Sequence, residues 1–104
     1  MFGLKDRDIE YIRTAVEKFP EITKVFIFGS RAMGNYKEAS DIDLAIETND
    51  NSSDTAIKLS GILNEEMPIP FFVDVVNLKN TKNKALITHI KNEGKVLPVL
   101  ISSE

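Results

Sequence analysis

A strand that stops abruptly at Gly29-Ser30, with two aspartates about ten residues further on, restricts the fold of this chain more than any other feature. Residues 23–28 are β-branched and aromatic, which is typical of a strand. Asp41 and Asp43 begin a second predicted strand, residues 41–47. Because strand side chains alternate, both carboxylates point to one face, with their Cα atoms ~6.6–7 Å apart. The residues between and after them can then face a core.

The other segments predict a small sheet covered by helices. Ile9, Ile12, Val16 and Phe19 share one face of a helix over residues 6–19, and Pro20 ends it. The remaining predictions are a short helix at 31–33, a loop at 35–40, a loop at 49–53, a helix at 54–67, a strand at 71–77, a helix at 81–92 and a short edge strand at 95–101. The order is α-β-α-β-α-β-α, so we expect an α+β fold and one domain over residues 1–104.

Composition excludes several kinds of chemistry. Cys is absent and His89 is the only histidine, which excludes disulfides, thiolate metal sites and most Ser-His-Asp mechanisms. The 13 Lys and Arg against 16 Asp and Glu argue against direct binding to nucleic acid. Catalysis would therefore use carboxylates, hydroxyls, Lys, Arg, backbone amides or a metal ion. The apolar runs are far shorter than a membrane span of about 18 residues, so we expect a cytoplasmic protein without membrane contact.

Three carboxylates are candidates for one site. Asp41 and Asp43 could together bind one or two divalent ions, although a solvated strand end is the simpler reading of an Asp-x-Asp pair. Asp74 lies inside the otherwise apolar segment 71–76, where a carboxylate is costly unless it is paired, hydrogen-bonded or metal-bound. Asp74 belongs either to an edge strand with a solvent-exposed face or to the site of Asp41 and Asp43, as a third metal ligand.

The turn at Gly29-Ser30 is a candidate phosphate site. Glycine allows a close backbone approach, and backbone amides with a Ser hydroxyl can hold phosphate oxygens. Arg31 would add a cation beside that pocket. An ordinary turn after a strand is the alternative for the dipeptide alone.

His89 is interpreted as an exposed or packing residue rather than a base, and Tyr36 as a surface residue that could otherwise stack on a base.

The whole pattern resembles a known signature. Phe28-Gly29-Ser30-Arg31-Ala32-Met33-Gly34, followed by Ser40-Asp41-Ile42-Asp43-Leu44-Ala45-Ile46, resembles that of the DNA polymerase beta-like nucleotidyltransferase superfamily. Within it, the chain is similar to the minimal nucleotidyltransferases (MNT), from Phe19 to about Leu97. Met33 departs from the basic or small residue of many relatives. The resemblance implies the α-β-α-β-α-β nucleotidyltransferase fold, with a small mixed sheet packed against helices.

The resemblance also implies roles for the candidate residues. Asp41 and Asp43 would bridge two Mg²⁺ ions, or Mn²⁺, that carry ATP. Asp74 would complete the second metal site and help to ready the attacking hydroxyl. Gly29 and Ser30 would hold the β- and γ-phosphates. In-line nucleotidyl transfer needs two metal ions ~3.5–4 Å apart, for which three converging carboxylates suffice as protein ligands.

The acceptor would have to come from outside the catalytic core, because 104 residues leave no room for a second domain. A partner protein, a second copy or another macromolecule could supply it, so a homo- or hetero-oligomer is possible. MNT relatives pair with helical HEPN proteins, which implies an antitoxin that transfers AMP from ATP to its toxin. Two alternatives stay open: a non-catalytic antitoxin or subunit that masks its partner, and the catalytic subunit of a split small-molecule nucleotidyltransferase.

Overall fold

Helices and strands alternate along the computed structural model, which describes residues 1–49 and 54–100. The elements are α1 (Asp6–Val16), β1 (Ile22–Phe28), α2 (Ser30–Met33), β2 (Ile42–Thr48), α3 (Thr55–Glu65), β3 (Val73–Asn77), α4 (Lys84–Glu93) and β4 (Lys95–Val96). The predicted element order is confirmed. Residues 50–53 of the predicted loop at 49–53, and residue 101 of the predicted edge strand at 95–101, lie outside the described residues. Within residues 95–100 that strand is limited to Lys95–Val96.

Helix boundaries differ from the predicted ones where the local chemistry competes with periodicity. α1 ends before Phe19 because the next amides bond three residues back, Lys18 to the Ala15 carbonyl at 3.2 Å and Phe19 to that of Val16 at 3.0 Å. This tighter turn precedes Pro20, whose ring disfavours helical backbone in the preceding residue. α4 starts later than predicted because the Asn83 side chain caps it, accepting from the Leu86 amide at 3.1 Å.

The sheet is mixed, with the strand order β3-β2-β1-β4. β1 pairs antiparallel with both β2 and β4, whereas β2 pairs parallel with β3 through the crossover helix α3. The outer edge at the start of β3 is closed by Asn64 of α3. Its side chain accepts from the Val73 amide at 2.8 Å and donates to the Val73 carbonyl at 2.7 Å. The small mixed sheet of an α+β fold is thus confirmed.

Both faces of the sheet are covered by helices. The larger cluster lies between the sheet and helices α1 and α3, and from β2 it takes Ile42, Leu44 and Ile46. The smaller cluster joins Phe28 and Ala45 to Ile90 of α4. Alternation along β2 therefore turns Asp43 towards the α4 side. No helix in the described part of the chain is long and apolar enough to cross a membrane.

Candidate functional site

Strand pairing assembles the predicted carboxylates at one end of the sheet. Asp43 is the register partner of Phe28 on β1 and of Asp74 on β3. Neighbouring strands lie ~4.8 Å apart, so the two partnered aspartates stand side by side on the same face. Asp41 lies two residues before Asp43, immediately ahead of β2. The pairing joins the Asp41-Asp43 segment to the end of β1, where the glycine turn begins.

The neighbouring carboxylates act on the charge of Asp43. Burial raises the pKa of Asp43 above its usual value, and the charges of Asp74 and Asp41 raise it further, whereas His89 lowers it. Asp43 is half-buried, while Asp41 and Asp74 are exposed. This setting destabilises the ionised form of the Asp43 carboxylate. A bound cation would stabilise that form.

The donor set fits a hard divalent cation, although the side chains are not arranged around one. Carboxylate oxygens are the ligands that Mg²⁺ prefers. Within residues 1–49 and 54–100, no three His, Asp or Glu side chains lie close enough together to hold a metal ion as they stand. Binding would require a change of side-chain rotamer. Asp41 and Asp74 can make such a change because both are solvent-exposed.

The turn at Gly29 packs directly against Asp43. Gly29 has φ +73° and ψ −153°, in the left-handed half of φ space where a side chain is strained. A Cβ atom added there would lie 2.6 Å from Oδ2 of Asp43. Glycine is therefore required both by its backbone angle and by the carboxylate beside it. Ser30, the first residue of α2, follows half-buried, so the predicted phosphate turn and carboxylates adjoin.

Arg31 does not occupy the position predicted for it. Only 2% of it is exposed, and its guanidinium donates to the Ser40 carbonyl from Nε at 3.1 Å and from Nη2 at 2.7 Å. Nη1 donates to the Phe2 carbonyl at 3.0 Å. The guanidinium also lies over the rings of Phe71, at 4.4 Å, and Tyr36, at 5.2 Å. Arg31 thus fixes the backbone just before Asp41, instead of adding a free cation to the phosphate turn.

His89 joins the site, which the sequence reasoning missed. Its ring meets that of Phe28 edge-on, with centroids 6.1 Å apart and an interplanar angle of 78°. Phe28 is the register partner of Asp43, and His89 acts electrostatically on that carboxylate. The available signal was its place on α4, between Leu86 and Ile90, which both pack against the same face of the sheet as Phe28. Tyr36 contacts Arg31 from an exposed loop.

Comparisons with known proteins agree with this architecture. The family model described as polymerase beta, nucleotidyltransferase, matches residues 10–99. A toxin–antitoxin crystallised with AMP-PNP is 24% identical with a TM-score of 0.71, and the match covers 86% of this chain and 71% of that one.

Two further solved structures share the fold. A mutant of the toxin–antitoxin MntA-HpeT is 22% identical over the same shares of the two chains, with a TM-score of 0.69. A protein from Shewanella oneidensis is 20% identical over 89% of this chain and 71% of its own, with a TM-score of 0.62. A search of curated protein sequences finds no match. At these identities the structural likeness concerns the fold.

Proposed function

Because the chain belongs to the polymerase beta nucleotidyltransferase family, we propose that it transfers AMP from ATP to a partner protein, with Mg²⁺, as the antitoxin of a toxin–antitoxin pair. The observation that carries the proposal is the contact between the glycine turn and the paired carboxylates. Asp43 stands beside Asp74 on one side and against the Gly29 backbone on the other. One surface thus offers both a cation site and a phosphate site.

The proposed reaction is an in-line displacement at the α-phosphorus of ATP. A hydroxyl oxygen of the partner forms the new P–O bond, the bond to the β-phosphate oxygen breaks, and pyrophosphate leaves while the hydroxyl proton is released. Asp41, Asp43 and Asp74 would hold Mg²⁺ (or Mn²⁺), which neutralises the triphosphate charge when bound. Asp74, on the exposed side of β3, would orient the attacking hydroxyl. Ser30 and the amides of the turn would bind the β- and γ-phosphates.

The nature of the partner is proposed from the solved structures that share this fold. Two of them are toxin–antitoxins, and one was crystallised with AMP-PNP, an ATP analogue. They support a toxin as the acceptor and an adenine nucleotide as the donor. We propose a helical HEPN-type protein in that role and a hetero-oligomer of the two chains in the cytoplasm. The experiment must distinguish this function from that of an antitoxin that masks its partner without catalysis.

Transfer is tested by mixing the chain with a candidate toxin, a small helical HEPN-type protein, together with α-labelled ATP and Mg²⁺. We expect label on the partner with the parent chain and none with Asp43→Asn. Asp6→Asn is the matched control, since Asp6 is an exposed acid on α1, and it should label the partner normally. If the parent chain leaves the partner unlabelled, the transfer proposal is wrong. If Asp43→Asn neutralises the partner as well as the parent does, the chain acts as an antitoxin by masking its partner.

Nucleotide binding separates the roles of the carboxylates. Asp41→Asn and Asp43→Asn should lose Mg²⁺-dependent binding of a non-hydrolysable ATP analogue, whereas Asp74→Asn should keep much of it and lose transfer. Ser30→Ala should raise the dissociation constant about tenfold or more, because a hydrogen bond to a charged group contributes roughly 1.5–3 kcal/mol. Calorimetric titration measures all four. Equal loss of binding in the three Asp variants would contradict the division of roles.

A further inference from the structure

A cavity lies beside the first turn of α1, away from the carboxylates. It has a volume of about 550 Å³, which is within the range of roughly 300–1,000 Å³ usual for small-molecule sites. Its walls come from the N-terminal segment, α1, the loop after α2 and the approach to β3; they include Lys5, Arg7, Asp8, Tyr36 and Phe71. We call Gly29, Ser30, Asp41, Asp43 and Asp74 the turn and carboxylate cluster, and none of these five residues lines the cavity.

Asp8 gives this cavity an unsatisfied hydrogen-bond acceptor. Asp8 is only 2% exposed. Its Oδ2 accepts from the Lys5 amide at 3.1 Å, as the capping group of α1, but Oδ1 is buried without a hydrogen-bond partner among the described residues. Leaving a buried acceptor unpaired is unfavourable, and more so for a charged group. The wall of the cavity therefore favours a ligand that brings an N–H donor.

The other charges of the cavity decide which donor fits. Lys5, Arg7 and Arg31 line it along with Asp8 and Glu38, so cations outnumber anions. A cationic donor, such as an amine or a guanidinium, would meet repulsion from these three groups. A neutral donor joined to an anionic group fits better, because Lys5 and Arg7 are exposed and can pair with an anion.

The flat walls indicate the shape of that ligand. The rings of Tyr36 and Phe71 and the adjacent Pro70 line the cavity, and aromatic side chains stack on planar rings. A planar ring with a neutral amino group and an attached phosphate meets all three conditions. Solvent does not reach Oδ1 in this structure. Contact with it therefore requires a change in the side chains around Asp8.

We propose that this cavity binds a purine nucleotide whose base carries an exocyclic amino group, with that amino group donating to Asp8 and the phosphate lying near Lys5 and Arg7. The site is separate from the turn and carboxylate cluster, and it does not depend on the transfer reaction proposed above. Binding there needs no metal ion. The unpaired Oδ1 of Asp8 distinguishes a base with an amino group from one with a carbonyl at the same ring position.

The test compares AMP with IMP, which carries a carbonyl oxygen where AMP has its amino group. Calorimetric titration in EDTA leaves out metal-dependent binding at the carboxylates. The parent should bind AMP about tenfold or more tightly than IMP, the difference expected for one hydrogen bond to a charged acceptor. Amide chemical shifts should move at Gly3 and Phe71 and remain in place at Ser30.

Matched variants assign the preference to Asp8. Asp8→Asn places an amide in the cavity that can donate to the IMP carbonyl, so the preference for AMP should disappear or reverse. Asp6→Asn alters an exposed acid in the same helical turn and should keep it, as should Ser30→Ala in the phosphate turn. If Asp8→Asn fails to fold, Tyr36→Ala replaces it, because Tyr36 is exposed, and it should weaken AMP binding several-fold.

The proposal is overturned by equal affinity for AMP and IMP, by no binding of AMP at millimolar concentration, or by an unchanged AMP preference in Asp8→Asn. It is also overturned if Ser30→Ala abolishes AMP binding, since AMP would then occupy the phosphate turn. None of these results bears on whether the chain transfers AMP to a partner.

Discussion

Replacing Asp43 with asparagine should stabilise the metal-free protein, because it removes repulsion that the fold builds into the site. Asp43 and Asp74 are register partners on adjacent parallel strands, which brings their charges ~5 Å apart. At an effective dielectric constant of 20, two such charges repel by about 3 kcal/mol. Solvent and salt reduce this to ~1 kcal/mol for side chains as exposed as Asp74. A gain of that size corresponds to roughly 4–8 °C in Tm for a domain of about 100 residues.

Thermal melts in EDTA measure this gain in stability. Its dependence on pH shows whether it comes from the charge of Asp43. Burial and the neighbouring carboxylates raise the pKa of Asp43 in the folded state. The native state therefore binds more protons than the unfolded state between the two pKa values, and stability falls as pH rises through that window. The advantage of Asp43→Asn should be full at pH 7 and shrink as pH falls through the raised pKa of Asp43.

A double-mutant cycle identifies the source of the gain. Asp74→Asn should also stabilise the metal-free chain, and Asp43→Asn with Asp74→Asn together should gain less than the sum of the single variants. Mg²⁺ added to a fixed excess of ATP should raise the Tm of the parent and leave that of Asp43→Asn nearly unchanged. A lower Tm for Asp43→Asn in EDTA, or strictly additive effects, would refute the reasoning.

Three further substitutions test the surroundings of the site. Gly29→Val should fold less stably and lose nucleotide binding, since its Cβ would lie 2.6 Å from Asp43 Oδ2 at φ +73°; normal Tm and ATP affinity would contradict this. Arg31→Met keeps an unbranched apolar stem but leaves the Ser40 carbonyl without its donors, and should cost about 2–4 kcal/mol in urea unfolding; a loss below ~1 kcal/mol would show that Arg31 does not hold this backbone. His89→Gln should raise the pKa of Asp43 further, because His89 lowers it, and an NMR titration of the Asp43 carboxyl would show no change if the imidazole does not act on it.

The sequence carried the local information well. Alternation of side chains identified which residues of β2 face the core, and helical periodicity identified α1, α3 and α4. Both patterns arise between residues close in the chain, so they can be read without knowing the fold. The boundaries were less accurate where a cap or a proline, rather than the periodicity, set the limit of a helix. Asn83, for example, caps α4 and makes it begin at Lys84.

The candidate site was predictable in its residue types but not in its geometry. The sequence placed Asp41 and Asp43 on one face, since that follows from a spacing of two. It offered Asp74 only as an alternative, because whether β3 pairs with β2, and in which register, depends on contacts between segments distant in the chain. The tertiary structure decided that Asp74 stands beside Asp43.

The tertiary structure also determined the direction in which long side chains point. Arg31 follows the phosphate turn in the sequence, yet the carbonyls of Ser40 and Phe2 and two aromatic rings draw its guanidinium into the interior. His89 reaches the site only because α4 packs over Phe28. A sequence fixes where such a side chain starts along the backbone, whereas the partners that satisfy its polar atoms are brought by folding, and burial makes those partners obligatory.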